Sequence, residues 1–249
     1  MLHTLLAGLR TFVLVPIFFV FTLACAAAII IYGAFRPASP VHDRIVKTWA
    51  NWFLRIPPVR TTIEGLEKVD PAQRYVVASN HLSQYDIPLL FWALPLHGRY
   101  LSKKEVFKIP LVGQAMRTIG IIEINRQNGG SSRQAINDGV QIAAERGYSL
   151  LVFPEGTRSK EGHFLPFHKG VFRIAIDTGL PLLPVVIEGT DRVNRPGSKV
   201  FYPGRATLRI LDPIDTTGMT NKNDLKDLSA SVESEMAAVY ADLRSAADT

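Results

Sequence analysis

The chain has 249 residues, 47% hydrophobic and 20% charged, which fits one globular domain with an appendage and excludes a mainly disordered chain. Its single cysteine, Cys25, excludes an internal disulfide framework, a paired-cysteine redox centre and a thiolate-rich zinc site. The formal charge of +6 asks for an anionic partner, and with no helix-turn-helix, zinc-finger or RNP-type signature and no lysine-rich arm, nucleic acid is not expected.

Residues 11–35 form a run of twenty-five without a charge, long enough as a helix to cross the roughly 30 Å hydrocarbon layer. A cleaved signal peptide is the competing reading, with Ala24-Cys25-Ala26 as the apparent cleavage or lipidation site. The run continues well beyond Ala26 and is longer than a signal core, so a retained membrane helix is expected. Arg36, Arg44, Lys47, Arg55 and Arg60 follow it and only Arg10 precedes it, which places the remainder at the cell membrane on its cytoplasmic face. Ile45, Trp49, Trp52 and Phe53 recur at helical spacing among basic residues. They predict an amphipathic helix lying in the headgroup layer; the alternative is a helix that packs on the domain. Pro57-Pro58 closes this segment, giving a membrane-anchoring part, 1–58, and a catalytic domain, 59–249.

Beyond residue 60, short β-like runs (75–79, 99–102, 120–124, 149–153, 183–188, 206–211) alternate with helical ones (87–94, 131–146, 169–178, 223–244). This order predicts an α/β fold, a mixed, largely parallel sheet flanked by helices. The basic residues concentrate in it. Between Arg99 and Arg173 twelve Lys/Arg face six Asp/Glu, whereas residues 212–249 hold three against eight.

Three polar clusters follow β-like runs. In Ser79-Asn80-His81-Leu82-Ser83-Gln84-Tyr85-Asp86, His81 is a candidate general base and Asp86, five positions on, the carboxylate that orients it. The bland reading is a loop histidine and an ordinary Asp N-cap. Phe153-Pro154-Glu155-Gly156-Thr157-Arg158-Ser159 offers a tight turn, hydroxyls, and an arginine whose fork suits phosphate. Gly120-Ile121-Ile122-Glu123-Ile124-Asn125-Arg126 brings another arginine. If the strands are parallel, their carboxyl ends share one crevice in which His81, Arg126, Glu155 and Arg158 converge. Lys103 and Lys104 are either a surface run or that pocket's positive wall. The six histidines show no ligand spacing, so no metal is expected.

Asn80-His81 through Asp86, the 120–126 block, the 153–159 block and Leu183-Pro184-Val185-Val186-Ile187 resemble, in order and spacing, the four motifs of the glycerolipid acyltransferase family. The likeness is greatest to its bacterial 1-acylglycerol-3-phosphate acyltransferase branch. Asn125 stands where that family more often has Asp before the arginine, and the fourth motif is a generic buried strand. The resemblance implies that His81, oriented by Asp86, deprotonates the acceptor hydroxyl, which attacks an acyl thioester directly. It implies a donor of acyl-CoA or acyl-carrier protein, lysophosphatidic acid as acceptor, contact with membrane phospholipids, and no cofactor. Arg126, Arg158 and Lys103 would hold the acceptor phosphate, with Glu155, Gly156 and Thr157 shaping the pocket.

Other readings stay open at this point. A membrane-bound thioester hydrolase would use the same base with water, which needs no phosphate clamp. A phospholipid-binding module explains the charge but not His81 and Asp86. The acceptor is alternatively another lysophospholipid or glycerol 3-phosphate, and Ser83 is a remote candidate nucleophile.

Overall fold

The computed structural model describes residues 2–37, 39–124, 140–141, 143, 145–159, 163–195 and 197–248. Within them a seven-stranded sheet forms the centre: β1 (Val59–Glu64), β2 (Val76–Ser79), β3 (Gly98–Lys103), β4 (Ile122–Ile124), β5 (Ser149–Val152), β6 (Leu182–Glu188) and β7 (Gly204–Ile210). The spatial order is β1-β7-β6-β2-β5-β3-β4. From β6 to β4 every neighbouring pair is parallel, and only β6 and β7 run antiparallel. All four residues of β2 and all seven of β6 are buried, as expected where helices cover both faces and the sequence reads as a continuous apolar run. In β7, Ala206, Leu208 and Ile210 face the core while Arg205, Thr207 and Arg209 are more open, the alternation of a half-buried strand. The sequence did not reveal β1: Arg60, Thr61, Thr62 and Glu64 make it a polar edge, and charges on an edge strand discourage further pairing.

The helices are α1 (Leu2–Phe35), α2 (Pro40–Leu54), α3 (Asp86–Ala93), α4 (Val112–Thr118), α5 (Gly170–Thr178), α6 (Thr190–Val193) and α7 (Leu225–Asp248). Short α4 and α6 lack enough turns to show periodicity and were not predicted. The helix expected over 131–146 falls mostly outside the described residues. α7 buries Leu225, Leu228, Val232 and Met236, with Val239 partly buried against the same core, a stripe at helical spacing.

α1 extends beyond the charge-free run at its N-terminal side and touches the domain through one narrow stripe, in which Ala7, Thr11, Ala26 and Ile29 are buried. Near one end, Arg10 Nη2 donates to Phe201 O at 2.9 Å and the Phe201 N–H donates to Thr11 Oγ1 at 3.1 Å. Near the other, Gly33 lies so close to Thr118 and His42 that a Cβ would clash with Thr118. Thr11 and Gly33 are about 33 Å apart along a helix, so α1 lies along the domain rather than projecting from it. Its outer face carries Leu5, Leu9, Phe12, Ile17, Val20, Ile31 and Phe35, all exposed.

α2 packs between α1 and α3, burying His42, Val46 and Ala50. Trp49 Nε1 donates to Thr22 Oγ1 at 3.1 Å, while Trp52 remains 51% exposed. The helix is thus docked on the domain by one face, the alternative weighed for it, and keeps a tryptophan on the open side. A buried ion pair ties it down: Asp43 Oδ1 lies 2.6 Å from Arg99 Nη1, and the Arg99 guanidinium sits 3.8 Å over the Tyr148 ring.

Candidate active site

Parallel pairing brings the carboxyl ends of β2, β3, β5 and β6 to one rim. β2 delivers His81 there through Asn80, whose buried amide behaves like one more strand residue. Its Nδ2 donates to Ile187 O at 2.8 Å and its Oδ1 accepts the Ile187 N–H at 2.7 Å. The His81 N–H donates to Glu155 Oε1 at 3.0 Å, and its carbonyl accepts the Ser159 N–H at 2.9 Å. The imidazole lies flat on Phe153, centroids 3.9 Å apart at 11°, and Phe153 stacks in turn on Tyr100 at 5.5 Å. Backbone and ring are therefore fixed independently.

Asp86 is fully buried at the first turn of α3. Its Oδ2 lies 2.7 Å from His81 Nδ1 and accepts the Leu82 and Ser83 N–H groups at 2.7 and 2.8 Å. Oδ1 accepts from Thr190 Oγ1 at 2.5 Å. The carboxylate reads backward into the turn instead of capping its helix. Because it only accepts, His81 Nδ1 carries the proton and Nε2 presents its lone pair to the cleft that His81 lines. That is the tautomer a general base needs. Ser83, the remote nucleophile, is buried, accepts the Tyr85 N–H and donates to Asn194 O.

The cleft has a volume of about 1140 Å³. Its polar part contains Thr157, Arg158 and Lys103, and adds His168, Lys169 and Arg173, which sequence reading missed because they precede or open a helix with no motif around them. Among the described residues, four cationic side chains thus line it against one carboxylate, Asp177, a balance that favours an anionic ligand. Gly156 also lines it; φ is +67°, and a Cβ there would sit 3.1 Å from the His168 ring, so glycine suits the turn and avoids crowding His168. The apolar part runs between α4 (Val112, Ala115, Met116) and α1 (Thr22, Ala26, Ile29). Arg126 lies outside the described residues.

Glu155 does not line the cleft; it sits behind His81, 3% exposed. Burial, opposed by the His81 N–H and aided by the negative charge of Asp86, pushes its carboxyl up to about 8. Its Oε2 and the Ser159 Oγ are buried without a hydrogen-bond partner among the described residues.

A sequence model, that of the Acyltransferase family, matches residues 60–188, the stretch holding the whole of this rim. The chain belongs to the Acyltransferase family. A relative described as 1-acyl-sn-glycerol-3-phosphate acyltransferase from Limnanthes douglasii is 33% identical over 180 residues, 72% of this chain and 62% of that protein. The alpha form from Mus musculus is 31% identical over 186 residues, 74% of this chain and 65% of that protein. This family member thus spans somewhat under two thirds of the length of these curated relatives. Among solved structures, the 1-acyl-sn-glycerophosphate (LPA) acyltransferase PlsC of Thermotoga maritima superposes with a TM-score of 0.79 at 25% identity, covering 95% of this chain and 97% of that one. The likeness to that structure therefore includes the N-terminal helices as well as the sheet.

Proposed function

We propose that this chain transfers a fatty acyl group from an acyl thioester to the free hydroxyl of 1-acylglycerol 3-phosphate, giving phosphatidic acid. The observation that carries this reading is the 2.7 Å His81–Asp86 pair on a cleft that is cationic in one part and apolar in another. His81 Nε2 takes the acceptor hydroxyl's proton as its oxygen attacks the thioester carbonyl. The tetrahedral intermediate collapses, the carbon–sulfur bond breaks, and the thiolate recovers the proton from the imidazolium while Asp86 steadies the positive ring. Holding both substrates beside one base accounts for much of the rate, since effective molarities of about 10⁵ M or more attend well-oriented pairs.

Arg158 and Lys103 line the cleft where a phosphate would bind, with Arg126 proposed as a third contact and Gly156 and Thr157 shaping the approach. Glu155 acts behind the base, by holding the His81 N–H. Residues 1–58 anchor the protein and 59–249 carry out the chemistry. The long apolar outer face of α1, joined by Trp52, needs a bilayer to cover it, and its attachment to the domain near both ends supports a helix lying within one leaflet. Arg36, Arg44, Lys47, Arg55 and Arg60 favour the cytoplasmic face.

The test supplies a labelled acyl thioester, on CoA or on carrier protein, together with lysophosphatidate, another lysophospholipid, glycerol 3-phosphate or no acceptor. Rapid product formation with lysophosphatidate is expected. Equal thioester loss with and without acceptor would instead identify a hydrolase, and no thioester loss at all a lipid-binding module.

A further inference from the structure

The turn leading into α4 carries a second apolar surface at the rim of the cleft. Ile109 is 42% and Leu111 44% exposed, although Val106 and Val112 on either side line the cleft. The backbone imposes this. Leu111 has φ 62° and ψ −49°, and the Val112 N–H donates to Pro110 O at 2.7 Å, which closes a γ-turn of the positive-φ kind, rare and strained for a residue with a Cβ. Among the described residues no other non-glycine has positive φ. The turn is held firmly: the Gly113 N–H donates to Ile109 O at 2.9 Å and the Ala115 N–H to Leu111 O at 2.8 Å. A Cβ at Gly113 would fall 2.0 Å from Phe107 O, so the chain folds back tightly here. A turn meant for water would relieve its strain with glycine, and would not hold a leucine outward.

The surroundings identify the occupant. Lys103, Lys104 and Lys108 are exposed beside the turn, with Glu105 the one acidic residue between them. α4 packs on α1, and together they wall the apolar part of the cleft. The tip is thus joined to the element whose outer face meets the bilayer in the reading above, on which this inference rests. An apolar tip in a lysine collar matches an anionic lipid surface, with the ammonium groups among the phosphates and the aliphatic groups beneath them. We infer that the Ile109-Pro110-Leu111 turn inserts into anionic membrane as a second anchor and places the cleft mouth where a lipid acceptor enters.

The test uses the full chain with phosphatidylcholine vesicles containing phosphatidylglycerol. Wild-type protein that fails to float with the vesicles overturns the membrane reading itself. Ile109→Trp in vesicles of brominated lipid is expected to show quenching beyond that of the wild type, whose Trp49, Trp52 and Trp92 set the baseline. Flotation without this extra quenching overturns the insertion, as does cross-linking from position 109 to a second copy in its place. In an Ile109→Ser/Leu111→Ser variant, transfer to vesicle-held lysophosphatidate relative to a dispersed short-chain acceptor should fall about tenfold, and an unchanged ratio also overturns it. Leu111→Gly suits the γ-turn and should melt at or above the wild-type temperature while still lowering that ratio, which separates lost insertion from lost folding.

Discussion

Thr190 Oγ1 lies 2.5 Å from Asp86 Oδ1, a contact between residues 104 positions apart. Thr190 is fully buried on α6, and the residues around it are clamped by α7: Arg244 reaches Asp191 through two bonds of 3.0 Å and Glu188 through one of 3.1 Å. With three donors on Oδ2, the hydroxyl on Oδ1 fixes the rotation of the carboxylate and thereby the direction of the His81 ring. Thr190→Val keeps the shape and removes the donor. We expect kcat to fall about tenfold, in keeping with a lost hydrogen bond to a charged group, with little change in acceptor KM. Thr190→Ser keeps the donor and should restore the rate. An equal loss in both variants would reduce Thr190 to a packing role.

The base itself makes a sharper prediction. His81→Ala should lower turnover by about 10² to 10⁴ with the fold intact, because the ring contributes a stack on Phe153 but no sheet hydrogen bond. Asp86→Asn should lose activity comparably, since an amide nitrogen cannot accept all the bonds that Asp86 accepts and no longer selects the Nδ1–H tautomer. Thermal melts run beside the kinetics separate chemistry from folding, and near-normal turnover of His81→Ala would remove it from the mechanism.

The sheet and the His81–Asp86 pair were legible because each is written locally. Val76-Val77-Ala78 and Leu183-Pro184-Val185-Val186-Ile187 are continuous apolar runs, and a five-residue spacing within one turn needs no knowledge of the rest of the chain. What escaped is non-local. Nothing near Thr190 marks it as a partner of Asp86, and Phe153 reads as the end of a strand until His81 is laid upon it. Glu155 was read as part of a substrate pocket, yet its hydrogen bond goes to the His81 backbone, a distinction that depends on which way one side chain turns. Arg99 is 1% exposed despite a residue type that usually stays in water, because Asp43 arrives from a helix more than fifty residues earlier.

For the anion end of the cleft, Arg158→Ala and Lys103→Ala should each raise the acceptor KM more than the donor KM. Both side chains are exposed, so folding should be unaffected. Steady-state kinetics with each substrate varied in turn is the measurement, and an unchanged acceptor dependence in both variants would dismiss the phosphate clamp.

Glu155 gives a pH signature in stability. Its carboxyl is raised from 4.5 to about 8 in the fold, so between those values the folded state retains a proton that the unfolded chain has lost. Stability therefore falls as pH rises through that window and levels off above it. Glu155→Gln is neutral at every pH and its Oε1 still accepts the His81 N–H. The melting temperature of the variant should gain on the wild type between pH 5 and pH 8. A difference that stays constant across this range would mean that Glu155 is ionised in the folded protein.

The docking of α2 rests on Asp43, which also lies 2.7 Å from His97 Nδ1. Asp43→Ala leaves the Arg99 charge buried, facing, among the described residues, the carbonyls of Ile119 and Gly98 and the Tyr148 ring in place of a carboxylate. Removing one partner of such a pair should cost about 3 kcal/mol, read by denaturant unfolding in detergent. Replacing both, as Asp43→Ala with Arg99→Met, should recover a substantial part, since an apolar side chain of similar length leaves no stranded charge. A negligible loss in the single variant would show that packing along α2, through Val46 and Ala50, holds the helix without help from the ion pair.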